Sequence, residues 1–120
     1  MSSIHNFAPG DFLIFQLEAG YALLRVLDVE SVDGDDVWHV AAYSDLFLDA
    51  EMADAAIDRA GDLKVELSHV ALTNRAFEST QVAKMRNISL TENELAAYDA
   101  WKTSDREISD RSIRLLLGWR

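Results

Sequence analysis

Three turn signals, separated by runs of aromatic and β-branched residues, constrain the fold of this chain more than any other feature. Pro9-Gly10-Asp11 delivers the chain into Phe12–Leu17, and Glu18-Ala19-Gly20 reverses it. Tyr21–Glu30 then runs back to Asp33-Gly34. Asp-Gly between two such runs marks a hairpin, because a type I′ turn needs positive φ at both central residues. Beyond it Val37–Tyr43 alternates, with Trp38, Val40 and Ala42 on one face and His39, Ala41 and Tyr43 on the other. Three hairpin-linked strands predict an antiparallel meander.

After Tyr43 the period changes. Ala53, Ala56, Ile57 and Ala60 recur at helical spacing, so Asp49–Ala60 reads as a short helix, with Asp49 as N-cap and Gly61 as its stop. Leu63, Val65 and Leu67 alternate with polar residues, then the parity shifts to Val70 and Leu72; a bulge near Ser68–His69 would absorb that shift. Asn74–Gln81 is polar and fits no period, and Val82–Leu90 is a weak strand pattern. Thr91-Glu92-Asn93-Glu94 is a capping box opening a helix to about Lys102, with Leu95, Tyr98 and Trp101 facing a core. Ile113, Leu115, Leu117 and Trp119 alternate beside Arg114 and Arg120, which predicts a closing strand after the polar Thr103–Asp110 connection. No repeat or linker interrupts the pattern. The expectation is one α+β domain over residues 1–120: a bent antiparallel sheet or small SH3-like barrel with two packed helices.

Charge is divided unevenly over this frame. Residues 1–62 hold 13 Asp/Glu against two basic residues, Arg25 and Arg59, a net −11, whereas residues 63–120 carry +1. With a net charge of −10, the chain repels phosphate backbones, so no nucleic-acid partner is expected; a basic protein partner fits the sign. No apolar run is long enough to span a bilayer and Met1–Phe7 lacks the pattern of a signal peptide, so a soluble cytoplasmic protein without membrane partner is expected. The absence of cysteine excludes thiolate chemistry. Oligomeric state is not legible.

Catalytic and cofactor chemistry finds little footing. Asp33-Gly34-Asp35-Asp36 has calcium-loop acids but Ser44 where a bidentate Glu belongs, and His5, His39 and His69 lack ligand spacing, so no metal and no cofactor are expected. His39, Ser44 and Asp45 are the residue types of a hydrolytic triad without any nucleophile-elbow motif, and carboxylate pairs abound by composition alone; no enzyme activity is expected. Arg25 among Leu23, Leu24, Val26 and Leu27 requires an internal carboxylate partner. Tyr21, Trp38 and Tyr43 could instead line an aromatic ligand pocket.

The opening Pro9-Gly10-Asp11 with Tyr21-Ala22-Leu23-Leu24-Arg25-Val26 resembles the first hairpin of small bacterial SH3-like barrels. With Tyr43-Ser44-Asp45 closing the third strand, the chain is similar to immunity proteins of polymorphic toxin systems, in the family numbered twenty-six. The likeness extends through the acidic helix and Leu63–Thr73, about two thirds of the chain, and departs where Asn74-Arg75-Ala76-Phe77 stands in place of a Gly-Arg-Trp element. It implies a binding protein of the immunity or antitoxin type that covers a toxin's active surface, with no catalytic residues. The acidic residues expected to meet a basic toxin are Asp45, Asp49, Glu51, Asp54 and Asp58, a cluster whose self-repulsion suits capture of a cation-rich partner.

Overall fold

A computed structural model describes residues 6–119. His5 and Arg120 lie outside the described residues. The meander forms as three strands, β1 (Asp11–Leu17), β2 (Gly20–Val32) and β3 (Asp35–Tyr43), followed by β4 (Val65–Thr73) and β5 (Ala83–Asn87). The order is β4-β3-β2-β1-β5, with every pairing antiparallel. Of the two shapes expected, the described ladders give the open sheet, with β4 and β5 as its edges. Asp33 and Gly34 both take positive φ, 52° and 86°, as a type I′ turn demands.

The predicted shift of parity is real. Val40 pairs with Val70 but Ala42 pairs with Leu67, so β4 carries an extra residue around Ser68–His69. Strand alternation then sorts the core into two layers. Leu13, Phe15, Leu24, Val26, Trp38 and Val40 face one side, where they meet Ala76 and Phe77 of α2 (Asn74–Glu78) and Ile113 of α4 (Ile113–Leu117). Trp38 stacks on Phe77 at 4.0 Å and 8°. Phe12, Leu23 and Tyr43 face the other side against Ala53 and Ile57 of α1 (Ala50–Ile57). Further along that face, Leu27 and Ala41 meet Tyr98 of α3 (Glu92–Lys102). Each fully buried Leu or Phe here stabilises the fold by about 1.5–3 kcal/mol through area removed from water.

The capping box of α3 makes both reciprocal bonds: Glu94 N donates to Thr91 Oγ1 at 3.2 Å and Thr91 N donates to Glu94 Oε1 at 3.0 Å. Glu94 also receives the buried Arg25, whose Nε donates to its Oε2 at 3.2 Å while Nη1 donates to Gly10 O at 2.6 Å. That is the internal partner Arg25 required. Gly10, at φ 95°, also lets the chain leaving β5 come close: a Cβ there would meet Ile88 O at 2.7 Å.

Two expectations fail. The closing strand over Ile113–Trp119 is a helix, because Ser112 caps it by accepting from Leu115 N at 3.4 Å and Gly118 stops it at φ 69°. Trp119 N donates to Arg114 O at 2.9 Å and Gly118 N to Leu115 O at 3.2 Å, a Schellman closure. Ile113 is thereby buried and Leu115 left 70% exposed, which an alternating strand would not do. Gly61 does not stop α1. The helix ends at Ile57, and Gly61 sits in a 3-10 turn (Ala60–Asp62) without positive φ. The ambiguous Asn74–Gln81 stretch supplies α2, capped by Thr73 Oγ1 accepting from Ala76 N at 3.2 Å.

Candidate functional site

The acidic residues expected to meet a partner gather around α1, but they are not equivalent. Asp49 is the N-cap, its Oδ1 accepting from Met52 N at 2.8 Å. Asp45 Oδ1 accepts from Lys64 N at 2.7 Å, which ties the end of β3 to the start of β4. Asp54 and Asp58 share Arg86 from β5: Nη1 donates to Asp58 Oδ1 at 2.8 Å, and Nε lies 3.0 Å from Asp54 Oδ1 without hydrogen-bond alignment. One guanidinium thus relieves the repulsion of this i, i+4 pair in part, and the two carboxylates, both still exposed, keep a net negative charge. Glu51 and Asp62 are exposed, and neither forms an ion pair among the described residues. The acidic rim is therefore less uniform than the sequence suggested: Glu51 and Asp62 are unpaired carboxylates, Arg59 is an exposed cation without an ion pair among the described residues, Asp49 is a helix cap and Asp45 ties down Lys64 N.

Apolar side chains, which the charge pattern did not reveal, flank this rim. Leu46, Leu48 and Met52 are 47%, 78% and 49% exposed. Their placement follows from a short bridge: Phe47 N donates to Tyr21 O at 2.9 Å and Tyr21 N to Phe47 O at 2.8 Å. With the backbone extended there, Phe47 packs inward against the α1 layer and its neighbours turn outward. Gly20 permits the bridge, since a Cβ at that position would collide with the Phe47 carbonyl. Between this segment and α1 lies a groove of about 330 Å³, floored by Phe47, Ala56 and Leu63 and edged by Asp45, Arg59 and Asp62.

A second cluster lies beneath α3. His39 is fully buried; its Nε2 meets Glu30 Oε1 at 2.6 Å and its Nδ1 meets His69 Nε2 at 3.0 Å. Tyr98 and Trp101 of α3 cover both imidazoles, Tyr98 Oη donates to Asp28 Oδ2 at 2.6 Å, and Arg106 pairs with Glu30 at 3.2 Å. Burial holds His39 below its ordinary range against the pull of Glu30, and burial with His39 alongside brings His69 to about 4. Sequence distance hid this cluster: His39 and His69 are 30 residues apart and meet through the β3–β4 ladder.

That arrangement does not form the hydrolytic triad considered above. Both nitrogens of His39 are taken by Glu30 and His69, and Ser44 Oγ donates only to Lys64 O at 3.5 Å. Nor do Tyr21, Trp38 and Tyr43 line one pocket, because Trp38 and Tyr43 lie on opposite faces of the sheet. Among the described residues no three His, Cys, Asp or Glu gather to hold a metal, and no helix is long and apolar enough to cross a membrane. Comparison of the chain with protein-family models, curated proteins and solved structures finds no match.

Proposed function

We propose that this chain is a non-enzymatic binding protein of the immunity or antitoxin type, which docks a basic toxin domain on the α1 face. One observation carries the reading: a groove lined by Phe47, Met52, Ala56 and Leu63 and edged by Asp45, Asp62 and Arg59 lies beside the segment and helix that expose Leu46, Leu48 and the unpaired Glu51. A protein surface spends affinity mainly at a few desolvated anchors, while rim charges set encounter rate and the sign of the partner. The occupant this favours is a lysine- or arginine-rich segment that seats one apolar side chain in the groove.

The test is association kinetics with the basic C-terminal domain of a toxin encoded beside this chain. Glu51→Lys with Asp62→Lys should slow association several-fold at low salt and flatten its salt dependence, since exposed charges act within about 8–10 Å at moderate ionic strength. Leu48→Glu should leave the fold intact and accelerate dissociation more than tenfold. Rates unaltered by both changes would remove the basis of the proposal.

A further inference from the structure

A hydrogen bond between two imidazoles needs one proton between them, which limits how many protons the cluster beneath α3 can hold. The Glu30 carboxylate only accepts, so His39 Nε2 carries a proton toward Glu30 Oε1 at 2.6 Å. The 3.0 Å contact between His39 Nδ1 and His69 Nε2 then holds one more. With both rings neutral, His69 Nε2 donates to the bare His39 Nδ1, and His69 Nδ1 is unprotonated. A proton added at His69 Nδ1 breaks neither bond. A second would set N–H against N–H across 3.0 Å and put two cations in ring contact, with centroids 5.2 Å apart.

The surroundings fit that limit. Asp28 and Glu30 of β2 favour a first charge on His39, and Arg106, 3.2 Å from Glu30, opposes it. From α3, Tyr98 donates its hydroxyl to Asp28, and Lys102, paired with Asp99, stands 4.4 Å from the Tyr98 ring centroid. Burial keeps both imidazoles below their ordinary range. His69 remains partly exposed and lines a cleft of about 670 Å³ with Trp101, Glu107 and Arg111, so protons reach it from solvent.

What rests on the pair is α3. The Tyr98 and Trp101 rings lie 4.4 and 4.6 Å from that of His39, and 5.4 and 5.5 Å from that of His69. The buried layer beneath the helix is small, comprising Leu27, Ala41 and Tyr98. Its first turn is held separately, by Glu94 on Arg25. A helix of 11 residues is marginal without such packing. We propose that the His39–His69 pair is a proton-operated latch: it holds the C-terminal half of α3 on the sheet with at most one added proton, and releases it when both rings are charged, while the first turn stays on Arg25.

The experiment is NMR of the full chain at pH 7, 5.5 and 4. It follows exchange of the Trp101 indole N–H, which donates to Glu107 O at 2.8 Å, with the backbone amide and imidazole C–H signals. Rings freed by opening take up protons, so protection of this N–H, corrected for intrinsic exchange, should fall about tenfold or more from pH 7 to pH 4. Over that range β1 and β2 amides should keep their native shifts. His69→Gln retains a donor for His39 Nδ1 but cannot become charged, and should reduce the fall to a few-fold at most. Protection of Trp101 that does not change with pH would overturn the inference, as would loss of the β1 and β2 shifts together with α3. So would an unaltered pH profile in His69→Gln. In the parent chain both imidazoles should become charged only where Trp101 loses protection; both charged with α3 in place would refute the latch.

Discussion

Removing the carboxylate of Glu94 separates two interactions that the structure places on one side chain. Its Oε1 closes the capping box of α3, and the same carboxylate pairs with Arg25, which is only 1% exposed. Breaking a buried ion pair on one side costs about 3–5 kcal/mol, because the surviving charge is left without its partner. Here the lower end applies: Glu94 is 29% exposed, and Arg25 keeps Gly10 O and the Phe12 ring at 4.1 Å. Loss of a cap adds roughly 1 kcal/mol. Glu94→Ala should therefore destabilise by about 3–4 kcal/mol, and Thr91→Ala, which removes only the cap, by about 1. The gap of about 2–3 kcal/mol corresponds to roughly 8–12 °C in Tm for a chain of this size. Urea denaturation of both variants, with m-values compared to confirm an unchanged transition, measures it directly. Glu94→Gln, which can still accept from Thr91 N, should fall between them. A Glu94→Ala cost within about 0.5 kcal/mol of Thr91→Ala would refute the argument that Arg25 depends on this partner.

Other predictions are independent of that pair. Ile113→Ala should cost about 2–4 kcal/mol while Leu115→Ala is near neutral, a contrast that a strand presenting both on one face would not produce; equal costs in urea melts would restore the strand. Arg86→Ala should raise the rate of association with a basic partner, since Asp54 and Asp58 regain their full charge, while lowering the thermal midpoint; a slower rate would contradict the pairing described. Stability should also fall in acid. His39 and His69 have depressed folded-state pKa values, so between the unfolded value near 6.5 and the folded value of about 4 for His69 the unfolded chain binds more protons. Stability then rises with pH across that window, by at most about 1.4 kcal/mol per pH unit per proton, and less because His69 is only half-buried. Urea midpoints at pH 7, 6 and 5 check this, and His69→Gln should flatten the profile; an already flat profile in the parent chain would refute it.

The fold was legible where local chemistry has one outcome. Asp33-Gly34, the Thr91–Glu94 capping box and the parity shift at Ser68–His69 each specify backbone geometry within a few residues, and each forms as expected. The misreading at Ile113–Leu117 arose because three consecutive leucines satisfy a period of two and a period of 3.6 alike. Ser112 and Gly118, a cap and a left-handed stop five helical residues apart, were the signals that distinguish them. At the site, the acidic positions could be read but their state could not. Whether Asp54 is free depends on Arg86, which arrives from β5 through pairing with β1, a relation no spacing encodes. The exposure of Leu46 and Leu48 is likewise set by the Phe47–Tyr21 bridge and not by the residues themselves.

The claim on which the rest turns is that the α1 groove docks a basic polypeptide through apolar anchors and a carboxylate rim. Amide-resolved NMR titration with a short lysine- and arginine-rich peptide bearing one central leucine, at low and high salt, addresses it most directly. The account predicts saturable shifts at Leu46, Leu48, Glu51, Met52 and Asp62 that weaken steeply as salt rises. Shifts centred on the Asp33–Asp36 hairpin tip instead, or none at low salt, would contradict it.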